Sequence, residues 1–147
     1  MANVHLALGS NLGDRHYYMA RAVELLEERV GRVQRRSGVV ESEPWGYSST
    51  NGYLNEVLVV ECGGLEPLEL LDITQSIERS LGRVGRSDRS EGYSDRTIDI
   101  DLLYYHGDGD STRRGVELVT SELILPHPEI ERRDFLIALL SKIGVHL

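Results

Sequence analysis

Two aspartates, Asp99 and Asp101, stand two positions apart in a mostly apolar stretch, residues 96–105. Successive side chains of a β-strand point to opposite faces, so this stretch predicts a strand with one apolar face and one carboxylate-bearing face. The face predicted to enter the core comprises Ile98, Ile100, Leu102 and Tyr104. The opposite face comprises Thr97, Asp99, Asp101, Leu103 and Tyr105. Two like charges are therefore expected side by side on one sheet face.

These carboxylates repel each other unless water or a cation separates them, because their Cα atoms would lie about 6 to 7 Å apart along a strand. A solvated edge-strand face explains the pattern, and so does a divalent-metal site. Mg²⁺ commonly takes one or two protein carboxylates and completes its shell with water and phosphate oxygens. The strand alone leaves both interpretations open.

A basic segment, residues 83–96, directly precedes the aspartates and contributes Arg83, Arg86, Arg89 and Arg96 to an acidic chain. Such a long polar connection is typical of a lid, which we expect to be mobile and to close over ligand. Arginines on a lid can offset the charge that develops during phosphate transfer. The sequence has neither a Walker A nor a protein-kinase glycine-rich motif. Together these features predict a metal-dependent phosphate-transfer enzyme.

Composition is that of an ordinary globular protein. The 147 residues, 40% hydrophobic and 27% charged, predict one domain over residues 1–147. No apolar run approaches the roughly 18 residues of a membrane span, and residues 1–9 lack the basic start of a secretion signal. The net charge of −8 disfavours nucleic-acid binding, because phosphates demand a basic surface. The one cysteine, Cys62, rules out an internal disulfide and fits the reducing cytoplasm. The chain is also expected to be a monomer that acts on small molecules.

The elements around the aspartate strand follow from periodicity. Strands are expected at residues 4–8, 33–40 and 53–62, and helices after Asp14, Glu66-Pro67 and Asp134. A surface loop is expected at residues 41–51 and a return strand at residues 115–120. This order predicts an α+β fold, a ferredoxin-like split βαβ sandwich with a mostly antiparallel sheet. The helices should cover one face of the sheet and leave the other to a ligand.

Spacing also pairs polar side chains within single elements. Tyr53 and Asn55, two apart in a strand, are predicted to point the same way. Gln75 and Glu78, three apart in a helix, are predicted to share a polar face. Each pair is therefore expected to meet one common environment.

Five segments stand in a recognisable order along nearly the whole chain. They are Ala7-Leu8-Gly9-Ser10-Asn11-Leu12-Gly13-Asp14, Glu43-Pro44-Trp45-Gly46 followed by Tyr53-Leu54-Asn55, Leu81-Gly82-Arg83, Asp95-Arg96-Thr97-Ile98-Asp99-Ile100-Asp101, and Leu125-Pro126-His127-Pro128 through Arg133 and Phe135. In this combination the chain resembles the 6-hydroxymethyl-7,8-dihydropterin pyrophosphokinase family. The resemblance implies transfer of the β,γ-pyrophosphoryl group of ATP to the hydroxymethyl oxygen of the dihydropterin in folate biosynthesis, which gives AMP and the pterin diphosphate.

The resemblance also implies the roles of individual residues. Asp99 and Asp101 would bind two Mg²⁺ ions, with Asp101 a candidate proton acceptor, and Arg83 and Arg96 would face the phosphates as part of the catalytic set. The residues implied around the pterin are Ser42, Pro44, Trp45, Gly46, Tyr53, Asn55 and Phe135. Those implied around ATP are Gln75, Glu78, Arg83, Arg96, Leu123, Ile124, His127 and Arg133.

The chain departs from the family pattern in its lid, where Tyr93 stands in place of a common tryptophan and the roles of Arg86 and Arg89 are open. Two other functions fit the same residues. One is a different Mg²⁺-dependent nucleotidyl transferase or phosphotransferase, and the other is a non-catalytic ligand-binding regulatory domain. An RNA-binding sheet is disfavoured by the acidic charge.

Overall fold

The computed structural model describes residues 1–42, 52–82 and 97–147. Its strands are β1 (Ala2–Ser10), β2 (Val33–Arg36), β3 (Val40–Ser42), β4 (Tyr53–Gly63), β5 (Asp99–His106), β6 (Leu118–Val119) and β7 (Ile124–Leu125). Its helices are α1 (Arg15–Arg29), α2 (Pro67–Ser80) and α3 (Asp134–Lys142), with a 3₁₀ turn at Ile130–Arg132 before α3. None of the helices in this described part is long and apolar enough to cross a membrane.

The helix termini form where the sequence places capping residues. The Asp14 side chain accepts a hydrogen bond from the Tyr17 amide at 3.1 Å and so caps α1. Glu66 and Glu69 form a capping box before α2, with Pro67 in the first turn. Gly82 follows α2 with φ +91°, a left-handed conformation that glycine adopts without strain. These local signals set the ends of the two helices that connect the strands.

The main sheet has the order β2-β4-β1-β5, with β3 also paired to β4. Every described pair in it is antiparallel. Helix α1 joins β1 to β2 across β4, and α2 joins β4 to β5 across β1. Each βαβ unit is therefore split by a strand of the other, which confirms the predicted ferredoxin-like α+β class.

The two faces of the sheet carry separate cores. On the first face, Leu26 of α1 and Ile77 of α2 belong to a core with strand residues such as Leu6. On the second face, Leu136 and Leu140 of α3 join a cluster with strand residues such as Val57. The expectation that one face is left free is therefore wrong in part, since the apolar stripe of α3 needs a surface to bury it. Among the described residues, one end of the second face is left uncovered by α3.

Strand β5 contains one extra residue, which changes the predicted faces. His5 pairs with Tyr104 and Leu6 with Leu102, so Leu103 has no cross-strand partner position and forms a bulge. Leu103 and Tyr104 consequently both join the cluster under α3, while Tyr105 joins the core under α1 and α2. The prediction for the two tyrosines is wrong, because a one-residue shift sends every later side chain to the opposite face.

The expected strand at residues 33–40 is divided into β2 and β3, and both pair with β4. Strand β3 includes Glu41 and Ser42, which were expected in a loop. The rest of that loop, residues 43–51, lies outside the described residues. The expected return strand is shorter, and its described partner is β7.

Burial of His5 makes stability depend on pH. Its ring is 9% exposed and packs edge-on against Tyr104, with centroids 5.6 Å apart. Burial first, then His106 and Arg35, lower the pKa of His5 to about 4. The unfolded chain binds a proton near pH 6.5, so this contribution is present above that pH and is lost as the pH falls from about 6.5 to about 4.

We expect the free energy of unfolding to fall by roughly 3 kcal/mol over that pH range through His5 alone. Urea titrations at several pH values measure it, with His5→Gln expected to show a flatter pH dependence. The exposed His16 supplies the matched control, His16→Gln. Equal pH dependence in the His5 and His16 variants would contradict the assignment.

Candidate active site

The open end of the second sheet face forms a pocket beside α3. It has about 550 Å³ of space between its atoms, a volume that includes the open mouth. Seven predicted site residues line it: Ser42, Tyr53, Asn55, Asp99, Asp101, Arg133 and Phe135. The fold therefore brings together side chains from three strands and from the start of α3.

Register across the central strand β1 sets the pocket floor. Gly9 pairs with Asn55 on β4 and with Asp99 on β5, so these three residues form one row across the sheet. Paired residues point to the same face, and strands lie about 4.8 Å apart, so Cα atoms of Asn55 and Asp99 are separated by about 10 Å. Ala7 stands beside Asp101 in the next row. Because Ala7 and Gly9 are small residues, they leave space above the sheet between the amide and the carboxylates.

Gly9 also lies close to the pocket wall. A Cβ atom at this position would be 3.3 Å from Cδ1 of Tyr53 and 3.6 Å from Oδ1 of Asn55. The first distance is tighter than ordinary van der Waals contact, so any larger side chain must move the tyrosine ring. Glycine here is required for space rather than for backbone conformation.

Asn55 is 6% exposed and its amide is oriented by the neighbouring strand β3. Its Nδ2 donates to Oγ of Ser42 at 2.7 Å and, at longer range, to the Val40 carbonyl at 3.4 Å. The nitrogen is thus directed toward β3, while Oδ1 is the amide atom nearest Gly9. Asn55 therefore presents a hydrogen-bond acceptor, Oδ1, to the pocket.

The two carboxylates are partly exposed and project from the strand face that lines the pocket. Hard oxygen ligands of this kind fit Mg²⁺, whose shell is otherwise completed by water and phosphate. No group of three or more metal-ligating side chains occurs within residues 1–42, 52–82 and 97–147. The donor set thus fits a metal shared with a substrate better than an all-protein metal cage.

His127 lies within electrostatic reach of the same carboxylates. Burial is the main cause that lowers its pKa, and Arg133 acts in the same direction, whereas Asp101 and Asp99 oppose it. Its Nδ1 accepts a hydrogen bond from the Glu129 amide at 3.1 Å, so the neutral ring carries its proton on Nε2. His127 is thus a neutral donor near the pocket rather than part of its lining.

Other predicted ATP residues also lie away from the pocket lining. Gln75 is half-buried on α2, Leu123 is buried in the core under α1 and α2, and Ile124 is exposed on β7. Residues Pro44, Trp45, Gly46, Arg83 and Arg96 lie outside the described residues, as does the whole predicted lid. The described part of the pocket lining therefore includes the amide, the two aromatic rings and the two carboxylates.

The face predicted for Glu78 is wrong. Its side chain is 2% exposed, and Oε2 accepts a hydrogen bond from the Ile100 amide at 2.7 Å. Ile100 lies between the two aspartates, so this buried carboxylate fixes the strand that carries them. A periodicity argument missed the contact because it depends on where β5 packs against α2.

Sequence reasoning missed several pocket residues: Ala7, Leu8, Gly9, Glu56, Leu136 and Leu139. Gly9 was named only within the segment from Ala7 to Asp14 that carries the family resemblance. The available signal was the small size of Ala7 and Gly9, which alternate with the bulky Leu6 and Leu8 along β1. Small residues on one face of a central strand indicate that something approaches that face closely.

A split βαβ domain with a carboxylate pair beside an aromatic and amide-lined pocket has the features of a protein that binds small molecules. The model of the family 7,8-dihydro-6-hydroxymethylpterin-pyrophosphokinase (HPPK) matches residues 5–145. The chain belongs to this family. The predicted activity, pyrophosphoryl transfer to the hydroxymethyl group of a dihydropterin in folate biosynthesis, is thereby confirmed.

Curated relatives and solved structures agree with the family match. A 2-amino-4-hydroxy-6-hydroxymethyldihydropteridine pyrophosphokinase of Porphyromonas gingivalis is 45% identical, over 98% of this chain and 92% of the relative. The Bacillus subtilis enzyme of the same name is 37% identical, over 95% and 76%. A crystal structure of wild-type Plasmodium falciparum HPPK-DHPS with SDX-DHP superposes with a TM-score of 0.67 at 14% identity. The superposed part covers 96% of this chain and 40% of that longer chain, and the similarity supports the fold alone.

We expect Gly9→Val to weaken pterin binding about tenfold, because the new methyl groups displace the Tyr53 ring into the pocket. Gly9→Ala should have a smaller effect. The measurement is the KM for the dihydropterin at saturating ATP. Gly107→Val is the matched control, since in the described part of the chain no atom lies within 4 Å of a Cβ atom there. Equal KM values for the two valine variants would show that the space above Gly9 is not used.

Proposed function

We propose that this pocket holds the dihydropterin against Asn55 while ATP lies over Asp99 and Asp101, so that the row through Gly9 aligns acceptor and donor. The observation that carries the proposal is that Gly9 and Ala7 of β1 lie between β4, which carries the Asn55 amide, and β5, which carries the two carboxylates. The hydroxymethyl oxygen then attacks the β-phosphorus of ATP, the bond between the α- and β-phosphates breaks, and AMP leaves.

Recognition of the pterin falls to the amide and the aromatic side chains. Oδ1 of Asn55 accepts a hydrogen bond from the donor edge of the pterin, since its nitrogen is already bonded to Ser42. Tyr53 and Phe135, both in the pocket lining, stack on the two faces of the ring. Ser42 contributes backbone groups, and Pro44, Trp45 and Gly46 complete the binding site from outside the described residues.

Asp99 and Asp101 hold two Mg²⁺ ions in this proposal. The metal supplies charge neutralisation and alignment of the phosphate oxygens. The carboxylates orient ATP, and Asp101 is the candidate acceptor of the hydroxyl proton. Glu78 supports this arrangement through its bond to the Ile100 amide, and we assign it to that role instead of an ATP contact.

The remaining nucleotide contacts are proposed from the family resemblance and from charge. His127 interacts electrostatically with Asp101, Asp99 and Arg133, and Arg133 lines the pocket together with the two aspartates, where its positive charge suits a phosphate group. Gln75, Leu123 and Ile124 would surround the rest of ATP, and Arg83 and Arg96 would face the phosphates from the predicted lid. We infer that residues 1–147 act as one catalytic domain, as a cytoplasmic monomer that needs no nucleic acid.

The product assay tests the reaction and the carboxylates together. We expect ATP, Mg²⁺ and the hydroxymethyl-dihydropterin to give AMP and the pterin diphosphate, and EDTA to stop turnover. Asp99→Asn and Asp101→Asn should each lower kcat by at least about 100-fold, because phosphate charge is then poorly neutralised. Asp72→Asn, on the exposed side of α2, is the matched control.

Three results would contradict the proposal. Release of free pyrophosphate with a nucleotidyl product would instead indicate the alternative nucleotidyl transferase. Unchanged turnover in both aspartate variants would show that Asp99 and Asp101 are not part of the catalytic site. A wild-type protein that binds ATP and pterin without forming product would support the regulatory alternative.

A further inference from the structure

An irregularity lies between β2 and β3, on the edge of the sheet next to the pocket. Arg36 pairs with Leu58, and Val40 pairs with Asn55. Three residues, 37–39, therefore stand opposite two, 56–57, which is a β-bulge with one extra residue. Such bulges leave backbone groups without ladder partners, and those groups need others.

Side chains satisfy the backbone at this bulge. The Val57 amide donates to Oγ of Ser37 at 2.9 Å, and the Ser37 amide donates to the Val57 carbonyl at 3.0 Å. The Gly38 amide donates to Oε2 of Glu56 at 3.2 Å. Gly38 has φ +86°, the left-handed region that favours glycine. The bulge is thus held by specific hydrogen bonds rather than by packing.

Glu56 is the centre of these bonds, although it is a charged residue with only 1% exposure. Nε and Nη2 of Arg36 donate to its two oxygens, each at 2.9 Å, in a bidentate pair. Its oxygens thus receive three donors, from one side chain on β2 and one amide in the bulge. A buried carboxylate bonded in this way fixes geometry, since removal of any donor leaves buried charge poorly solvated.

The bulge determines which way β3 faces. Arg36 shares the helix-covered face with its partner Leu58, and an uninterrupted strand would keep residues 38, 40 and 42 on that face. The extra residue turns Val40 and Ser42 to the pocket face instead. Ser42 Oγ can then accept from Asn55 Nδ2 at 2.7 Å. Without the bulge, the amide of Asn55 would lose its orienting partner.

We propose that Glu56 is a positioning residue for pterin specificity, acting through Arg36 and the bulge to place Ser42 against Asn55. The proposal rests on the proposed function for its kinetic consequence. When Ser42 is placed in this way, the Asn55 nitrogen is bonded to the protein, and the Asn55 oxygen selects ligands that present N–H donors. Glu56 itself needs no contact with substrate.

Two sets of variants test the device. In Glu56→Gln, the new NH₂ group faces the donors of Arg36 or Gly38, so the bulge loses a bond. Gly38→Val strains the left-handed backbone but leaves the side chains of Arg36 and Glu56 unchanged. Gly38→Asn is its matched partner, since asparagine tolerates that region better. No atom of the described residues lies within 4 Å of a Cβ atom at Gly38, so steric overlap does not separate the two variants. Glu24→Gln, in an exposed ion pair with Arg21, is the charge control.

The first measurement is the side-chain amide signal of Asn55 in ¹⁵N-resolved NMR spectra of the ligand-free protein. We expect this signal to shift in Glu56→Gln and in Gly38→Val, to shift less in Gly38→Asn, and to stay in place in Glu24→Gln. An unchanged signal in both Glu56→Gln and Gly38→Val would overturn the proposal. This readout does not depend on turnover, so it separates failure of the positioning role from failure of the proposed function.

The second measurement is steady-state kinetics. We expect KM for the dihydropterin to rise about tenfold in Glu56→Gln and in Gly38→Val, while KM for ATP changes less than about twofold. The KM for the dihydropterin should be at least about fivefold higher in Gly38→Val than in Gly38→Asn. Parallel increases for both substrates, or losses in kcat alone, would indicate general damage and reject a specificity role. Should Glu56→Gln fold poorly, the Gly38 pair decides the question.

Discussion

The pocket depends on a single constraint, the residue pattern of the central strand β1. One face of β1 carries the large residues Val4, Leu6 and Leu8, which are fully buried under α1 and α2. The other face carries Ala7 and Gly9, which are too small to fill the space above them. Because β1 pairs with both β4 and β5, its register also decides which of their side chains meet over that space. A bulky residue at position 9 would remove the space on which both neighbouring strands depend.

Charged side chains of both signs lie at the open end of the pocket. The carboxylates of β5 occupy one side, and Arg133 at the start of α3 occupies another. The same sheet face becomes apolar beyond Asp101, where Leu103 and Tyr104 pack under α3. Burial of charged groups is costly without partners, so the carboxylates stay at the open end while the closed end holds apolar side chains.

Local patterns predicted much of the fold and part of the site. Alternation placed Asp99 and Asp101 on one face, and the same rule put Tyr53 and Asn55 together in the lining. It failed beyond Leu102, because a run of apolar residues such as Leu103-Tyr104-Tyr105 does not reveal where an extra residue enters. Glu78 was misplaced for a related reason, since its burial depends on a tertiary bond to the Ile100 amide. Both errors concern how elements meet, which spacing within one element does not encode.

The pocket lies between two single-residue irregularities, one on each side of β1. At Leu103 the extra residue places two successive apolar side chains on the α3 face, and there the carboxylate-bearing part of β5 ends. Between Arg36 and Val40 the extra residue turns β3 toward the pocket, and there the wall that orients Asn55 begins. A regular sheet with these sequences would show Ser42 to the helices and Tyr104 to the core beneath them. The ferredoxin-like fold therefore supplies the platform, and local departures from its regular pairing determine where the site begins and ends.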